Sequence, residues 1–413
     1  MPYLCFFLYI DSTINIDNVP TYEEYFEKGS LAMSRKHEGL EGVVATSTRL
    51  SLVDGRNGRL ILAGYPVEAI APQATFEEMA HLLWQGRLPK IEELKALKQD
   101  LASRRRLPSV TLSLLREAAK YSTPVVDALR IAVGTLTMGR QETSEQEART
   151  LVATFPAIVG GYWRLKNGQE PLEPRENISH AEHCLHQIFG CDAHEIEAER
   201  VRGLETYLNT VCDHGLNAST FAARVIVSTR SDLVSAVTGA VGALKGPLHG
   251  GAPGPALDMV CEIGTVDRAE EVIHAKLEHG ERLMGFGHRV YRTRDPRADV
   301  LAAAAQKFYA KKGNREFYVL AKQVEETALR ILAERKPGRR LDTNVEFYTA
   351  LLLHGLGMPK ELFTPIFAIG RVLGWTAHCL EQLRDGRLIR PDAEYIGPTG
   401  LRLSVSSASP ARG

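Results

Sequence analysis

No sign of charge prevails in this sequence. It carries 50 Lys and Arg against 50 Asp and Glu, a balance that argues against a nucleic-acid or anionic-membrane partner. Cysteine is sparse and unpatterned: Cys5, Cys184, Cys191, Cys212, Cys261 and Cys379 lack framework spacing, which excludes a disulfide scaffold and suits reduced thiols in a cytoplasmic setting. No apolar run approaches the ~18 residues that a membrane span needs. Residues 4–10 are apolar, but they lack a basic lead and a cleavage site, and Asp11 ends them; they do not make a signal peptide. What remains is a chain of 413 residues, 44% hydrophobic and 24% charged, long enough for two domains and a large core. The short basic runs, Arg104-Arg105-Arg106 and residues 335–340, sit beside Pro at helix boundaries and are expected to be solvated termini.

Residues 1–35 show no sustained period. Met33 is read as the start, with the preceding stretch an over-extended reading frame; the alternative is an arm that packs on a partner subunit. Residues 40–65 read as small β-structure. V-V-A-T-S-T-R-L-S-L-V and R-L-I-L-A-G-Y flank Asp54-Gly55 and Asn57-Gly58, a hairpin signal.

Helical patterning follows almost throughout. Phe76, Met79, Ala80 and Leu83 recur at i, i+3, i+4, i+7 behind a Thr75 N-cap, and Gly86 and Pro89 end that helix. Leu94, Leu97 and Leu101 mark the next. Residues 125–138 and 151–165 give further apolar segments, and 167–174 a polar loop. Ser231-Asp232 caps a helix over 233–244, and 256–263 leads away from the loop after it. Residues 302–330 read as helical with one polar face. Asp342-Thr343-Asn344 caps V-E-F-Y-T-A-L-L-L-H-G, with Glu346 in the first turn, where the helix dipole favours an anion. Thr364-Pro365 opens a last helix with Pro in the first position. Ile366, Ile369, Leu373, Ala377 and Leu380 form its core face. Arg371, Trp375, His378 and Gln382 recur on another face, too aromatic for plain solvent and suited to a buried anion.

Two Gly-flanked His loops stand out, L-K-G-P-L-H-G-G-A-P-G-P (244–255) and M-G-F-G-H-R-V-Y-R-T-R-D-P-R (284–297). Gly and Pro at this density break a helix, so His249 and His288 sit on breaks where ligand and backbone approach closely. One such His is ordinarily a loop residue. Two with the same wrapping, followed by Arg289, Arg292, Arg294 and Arg297, point to an anion-handling site, since guanidinium forks suit carboxylates and phosphates.

Two further clusters carry alternatives. His180, His183, Cys184, His186, Cys191 and His194 suggest zinc, but the spacing fits no zinc motif, and Leu185, Ile188 and Phe189 interleave as a core stripe would. In C-D-H-G-L-N-A-S-T-F-A-A-R (212–224), His214 reads as a buried polar ligand group, while Asn217 and Ser219 read equally well as helix caps.

D-H-G-L-N-A-S-T-F-A-A-R, G-P-L-H-G-G-A, G-F-G-H-R-V-Y-R-T-R-D-P-R, T-N-V-E-F-Y, G-W-T-A-H-C-L-E-Q and R-L-I-R-P resemble, in order, the signature blocks of the citrate synthase family, over residues 40–397. The resemblance implies an all-α fold with the small N-terminal β-hairpin. It implies a large helical domain (36–249 and 356–413), a smaller helical domain (250–355) closing over the site, and an obligate homodimer. It implies condensation of acetyl-CoA with oxaloacetate and hydrolysis of citryl-CoA, without metal or other cofactor. By the same resemblance His249, His288 and Glu346 are catalytic. His214, Arg297 and Arg371 hold oxaloacetate, with Arg390 reaching in from the partner subunit. Leu283, Met284, Gly285, Phe286 and Gly287 line the CoA adenine, and Arg292 takes a CoA phosphate.

Two departures matter. The family usually has Asp where Glu346 stands, a side chain shorter by about 1.5 Å, and we expect the helix to sit back in compensation. Pro253-Gly254 replaces the Asn-Glu of many members beside the acyl-CoA mouth. A 2-methylcitrate synthase acting on propionyl-CoA uses the same machinery, and a non-catalytic homologue binding CoA esters or citrate is the rival from another class.

Overall fold

The computed structural model describes residues 39–190, 197–250, 253–288, 290–312, 314–338 and 340–401. By Cα proximity the chain divides into Met1–Ser47 and Thr48–Gly413. The described residues of the first unit, 39–47, hold no α-helix or strand. The expectations for residues 1–35 and for the tail beyond Leu401 lie outside the described residues, as do Cys191 and His194 of the His/Cys cluster and Arg289.

The second unit opens on three short antiparallel strands, β1 (Ser51–Asp54), β2 (Arg59–Leu62) and β3 (Tyr65–Pro66), in that order across the sheet. Asp54 faces Arg59 across the first turn. The expected hairpin is therefore present, with one more strand appended. Its turn is tied down by Asp54, whose carboxylate accepts from the backbone N–H groups of Arg56 and Asn57.

Sixteen α-helices follow among the described residues. They are α1 (Val67–Ile70), α2 (Phe76–Gln85), α3 (Ile91–Ser103), α4 (Ser109–Lys120), α5 (Val125–Val133), α6 (Ser144–Lys166), α7 (His180–Phe189) and α8 (Ala198–Val211). The second half comprises α9 (Ala218–Ser228), α10 (Leu233–Leu244), α11 (Pro253–Ile263), α12 (Ala269–Glu278), α13 (Pro296–Lys311), α14 (Arg315–Arg335), α15 (Val345–Gly355) and α16 (Phe363–Asp385). The local signals explain most boundaries. Thr75, Asp232 and Asn344 accept at their side chains from Glu78 N, Ser235 N and Glu346 N, giving each helix start a partner for an orphan donor. Gly86 closes α2 in the left-handed conformation at φ 74°.

Four expectations are corrected. Residues 302–330 are not one helix: Lys312 turns extended and Asn314 caps a new start by accepting from Phe317 N, so α13 and α14 are separate. Helix α5 stops at Val133, and turns fill the stretch to Gly139. A 3-10 turn over Lys360–Leu362 precedes α16, so Pro365 stands third in that helix and not first. Arg105 is buried, not solvated; its guanidinium donates to the carbonyls of Arg175 and Ile178, about 70 residues away.

Helix α16 runs through the core. Its apolar face (Ile366, Ile369, Leu373) is buried, and so is the face carrying Arg371, Trp375, His378 and Gln382. Gly374 permits the crossing with the residues after α8: its N–H donates to Cys212 O at 3.1 Å, and a Cβ there would collide with that carbonyl. That crossing brings α16 beside Asp213 and His214.

Candidate active site

Three breaks between helices meet beside α16. The first is the turn after α8, which delivers Asp213 and His214. Asp213 is fully buried, and its Oδ1 accepts from His378 Nε2 at 3.1 Å. Arg224 Nη1 lies 2.6 Å from the other ring nitrogen of His378. Arginine only donates, so His378 Nδ1 is the acceptor and its proton sits on Nε2, facing Asp213. Glu381 Oε2 holds the same Arg224 nitrogen at 2.9 Å. This chain fixes the backbone next to His214. The His214 ring itself bonds Tyr291 OH at 3.0 Å and lies edge-on to His288, centroids 6.0 Å apart.

The second break is the glycine-bounded strip 283–288. Gly285 and Gly287 adopt φ of 92° and 77°. A Cβ on Gly285 would press on Phe347, at 2.9 Å from its Cβ. The strip pairs with the residues ahead of α15: Gly287 N donates to Asp342 O at 2.8 Å and Asn344 N to Gly285 O at 2.9 Å. Asn344 completes the link with its amide, Nδ2 donating to Gly287 O (2.7 Å) and Oδ1 accepting from Glu346 N (2.9 Å). His288 and Glu346 are thereby fastened to one another.

His288 Nδ1 accepts from the backbone N–H groups of Val290 and Tyr291, at 2.9 and 3.0 Å. Its proton therefore resides on Nε2, which faces Arg297 Nη2 at 3.3 Å. Those two groups are both donors, and Asp295 Oδ2 lies by both, 2.8 Å from Arg297 Nη2 and 3.9 Å from His288 Nε2. Asp295 caps α13 and orients Arg297 in three ways, accepting from its N, Nε and Nη2. The hairpin supports this loop from outside. Arg292 N donates to Gly55 O at 2.8 Å, and any side chain at position 55 would strike Val290 O.

The third break, after α10, delivers His249. Its Nε2 lies 2.8 Å from Ser219 Oγ, which also contacts Asn217 Oδ1 (2.8 Å) and accepts from Trp375 Nε1 (3.0 Å). Asn217 caps α9 as expected; Ser219, its equal as a cap candidate, instead faces the imidazole. Ser219, Tyr291 and Asp295 are further working residues to which sequence reasoning gave no part in the site. A usable signal existed for two of them: one helix takes one cap, so Ser219 was surplus at its start, and Pro296 in the first position made Asp295 the cap beside Arg297.

The charges couple these groups. Burial lowers His249 to about 4, with Arg371 adding to the effect, and lowers His288 to about 4, with Arg297 adding to it. His214 is held well below its ordinary value by burial and then by Arg297 and Arg371. All three imidazoles are neutral near pH 7. Glu346 moves the other way: burial raises it to about 7, against the pull of Arg297 and Arg371 and with a push from Asp295. Arg371 is 1% exposed; its Nε donates to Val211 O at 2.6 Å and its guanidinium lies 4.5 Å from the Phe367 ring. Among the described residues no carboxylate pairs with it, and burial lowers it to about 10. A buried, unpaired guanidinium beside Arg297 is a strong demand for an anion.

His214, His249, His288, Arg297, Glu346 and Arg371 thus share one enclosure. Arg292 and Arg390 do not: both side chains are exposed, and Arg390 lies in the irregular segment after α16. Leu283 and Gly285 are buried, with Met284, Phe286 and Gly287 partly so. Among the described residues no group of three His, Cys, Asp or Glu side chains converges as metal ligands. His180 instead stacks on Phe76, ring centroids 4.3 Å apart.

Comparison with known proteins identifies the family. The family model described as "Citrate synthase, C-terminal domain" matches residues 39–392. A Bacillus subtilis protein named citrate synthase 2 is 41% identical over 87% of this chain and 95% of its own. A citrate synthase of Haloferax volcanii is 39% identical over 88% and 96%. Among solved structures, the ternary complex of Thermoplasma acidophilum citrate synthase with carboxymethyl coenzyme A and oxaloacetate superposes with a TM-score of 0.81, at 31% identity over 89% of this chain and 98% of that one.

Proposed function

The chain belongs to the citrate synthase family, and on that premise we propose that it condenses acetyl-CoA with oxaloacetate and hydrolyses the resulting citryl-CoA. The observation that carries this reading is the enclosure around Arg371: an unpaired buried guanidinium, three neutral imidazoles and one carboxyl raised to about 7.

In this reading Glu346 removes a proton from the acetyl methyl, a very weak acid, while His249 donates to the thioester oxygen as enolate charge develops. In the free protein the one Ser219 proton goes to Asn217 Oδ1, so donation from His249 Nδ1 to the substrate requires the hydroxyl to turn towards His249 Nε2. The enol carbon attacks the ketone of oxaloacetate. His288 Nε2–H polarises that ketone and protonates the new alkoxide; water then cleaves the citryl thioester. Arg297, Arg371 and His214 hold the dicarboxylate, and orientation of this kind accounts for a large share of a bimolecular barrier. No step calls for a metal.

Three finer statements go with it. The molecule works as a homodimer in which Arg390 completes the partner's oxaloacetate site; exposed Leu388, Tyr395, Ile396 and Leu401 around it support burial against a second copy. Residues 36–249 with 356–413 form a large domain onto which 250–355 closes, excluding water until condensation is done. CoA lies along residues 283–287 with a phosphate on Arg292. Buried free thiols at Cys184, Cys212 and Cys379 support a reducing, cytoplasmic location, and among the described residues no helix is long and apolar enough to cross a membrane.

Thiol release from acetyl-CoA in the presence of oxaloacetate tests the reading; its absence would leave a CoA-ester or citrate sensor. Propionyl-CoA is the discriminating rival substrate. One methylene in an apolar pocket shifts specificity by about 10- to 200-fold, and we expect kcat/KM to favour acetyl-CoA by a ratio in that range. A ratio favouring propionyl-CoA would make the enzyme a 2-methylcitrate synthase.

A pH profile follows from Glu346. The base must be ionised, and its carboxyl in the free protein is raised to about 7. Hence kcat/KM is expected to fall about tenfold per pH unit below pH 7 and to level above it. His249 and His288, lowered to about 4, stay neutral across that limb. Stability runs the opposite way: with the folded carboxyl raised from 4.5 to about 7, its contribution is full below pH 4.5 and is lost as pH rises through 7. A flat profile from pH 5.5 to 8 would remove Glu346 from the role of base.

A further inference from the structure

Behind the site lies a second carboxylate that the chemistry above does not use. Glu325 sits inside α14 and is 2% exposed. Its two oxygens receive four donors. Oε1 accepts from Thr343 Oγ1 at 2.7 Å and from Arg294 Nη1 at 3.4 Å; Oε2 accepts from Tyr348 OH at 2.5 Å and from Lys322 Nζ. Lys322 also donates to Tyr348 OH at 2.8 Å, closing a ring of three side chains. A buried carboxylate with this many donors stays ionised and has no freedom to turn.

The donors are not a random set. Thr343 precedes Asn344, the residue that caps Glu346 and holds Gly287; Thr343 itself bridges to Phe286. Tyr348 lies two residues beyond Glu346 on α15. Arg294 precedes Asp295, which fixes Arg297, and Arg294 is braced on its other side by Asp299. One carboxylate thus grips the segment carrying the base and the segment carrying the oxaloacetate guanidinium. Thr343 and Arg294 each stand just ahead of a helix start, and besides Glu325 one bond joins the two segments directly, Val345 N donating to Asp295 Oδ2 at 3.4 Å.

We infer that Glu325 is a positioning residue for the condensation, holding the Thr343–Glu346 and Arg294–Arg297 segments in mutual register through its side chain. This role rests on the function proposed above and adds a residue to it that touches no substrate. It predicts coupling: loosening the Glu325 contacts disturbs both the proton-transfer geometry and oxaloacetate capture, although neither substrate reaches Glu325.

The test is a kinetic cycle on the full-length chain. Glu325→Gln is nearly isosteric, but its amide nitrogen turns an acceptor into a donor facing Thr343 and Arg294 or Tyr348 and Lys322. It is expected to lower kcat at least tenfold and to raise KM for oxaloacetate at least fivefold. Thr343→Val loosens only the base segment and is expected to act chiefly on kcat; Arg294→Met loosens the other and is expected to act chiefly on KM for oxaloacetate. Combining either with Glu325→Gln should add less than a further twofold. Circular dichroism and thermal melts report the folded fraction, so that rates refer to folded enzyme. Glu325→Gln with kcat and KM within twofold of wild type, or effects that simply multiply in the double variants, would overturn the inference. An inactive wild type would instead overturn the proposed reaction, and this role with it.

Discussion

Glu346→Gln is expected to lower kcat for thiol release from acetyl-CoA and oxaloacetate by about 10²- to 10⁴-fold, the range associated with loss of a positioned general base. The amide keeps the length and packing of the side chain but cannot accept a proton from carbon. Oxaloacetate binding should survive, because Arg297, Arg371, His214 and His288 are untouched. Folding should survive too: the N-cap bond runs from Glu346 N to Asn344 Oδ1 and involves no carboxylate atom of Glu346. The acid limb near pH 7 should vanish from whatever activity remains. Undiminished citrate formation would mean that another group takes the proton. Glu346→Asp is the informative companion. If α15 is set back to suit a longer side chain, restoring the family's usual Asp here should slow the enzyme, since Glu reaches about 1.5 Å farther.

Arg371→Leu carries the second large effect, on binding. Truncating one member of a buried, hydrogen-bonded charge pair costs about 2–5 kcal/mol, which is ~30- to 5000-fold in affinity. Oxaloacetate titrations should show that loss. The free protein should respond differently. Arg371 has a carbonyl and an aromatic ring for company and no carboxylate among the described residues. Replacing such a buried cation by a hydrophobe is expected to leave Tm unchanged or raise it. The stabilisation that saturating oxaloacetate adds to Tm should then disappear. A variant that binds normally, or one whose Tm collapses without ligand, would show that Arg371 serves the core rather than the substrate.

Much of this architecture was legible from local chemistry. Thr75, Asp232 and Asn344 announce helix starts because a short polar side chain there satisfies a backbone donor, whatever the rest of the chain does. Asp54-Gly55 and Asn57-Gly58 announce the hairpin turn for a similar local reason. The collars around His249 and His288 mark breaks because glycine and proline act through their own backbone. What escaped depends on partners distant in sequence. Arg105 looked like surface charge, since the carbonyls of Arg175 and Ile178 that receive it belong to a loop about 70 residues on. Ser219 looked like a cap because His249 and Trp375 meet it only after α9, α10 and α16 have packed. The break between α13 and α14 was hidden by a helical pattern that continues across Lys312, although Asn314 was a cap in waiting. Within the site, residue types suggested an anion pocket, and family resemblance alone named the roles.

The amide of Asn344 spends both of its polar atoms on one connection, nitrogen to the strip before His288 and oxygen to the backbone of Glu346. The interval from base to electrophile is consequently a span set by one side chain. Acyl groups are then sorted by whether their own reactive carbon reaches across that span. A longer chain that merely fits the mouth gains nothing if its α-carbon falls short. Evolution towards new thioesters would therefore be expected to work on the walls around the acyl group and leave this single side chain alone.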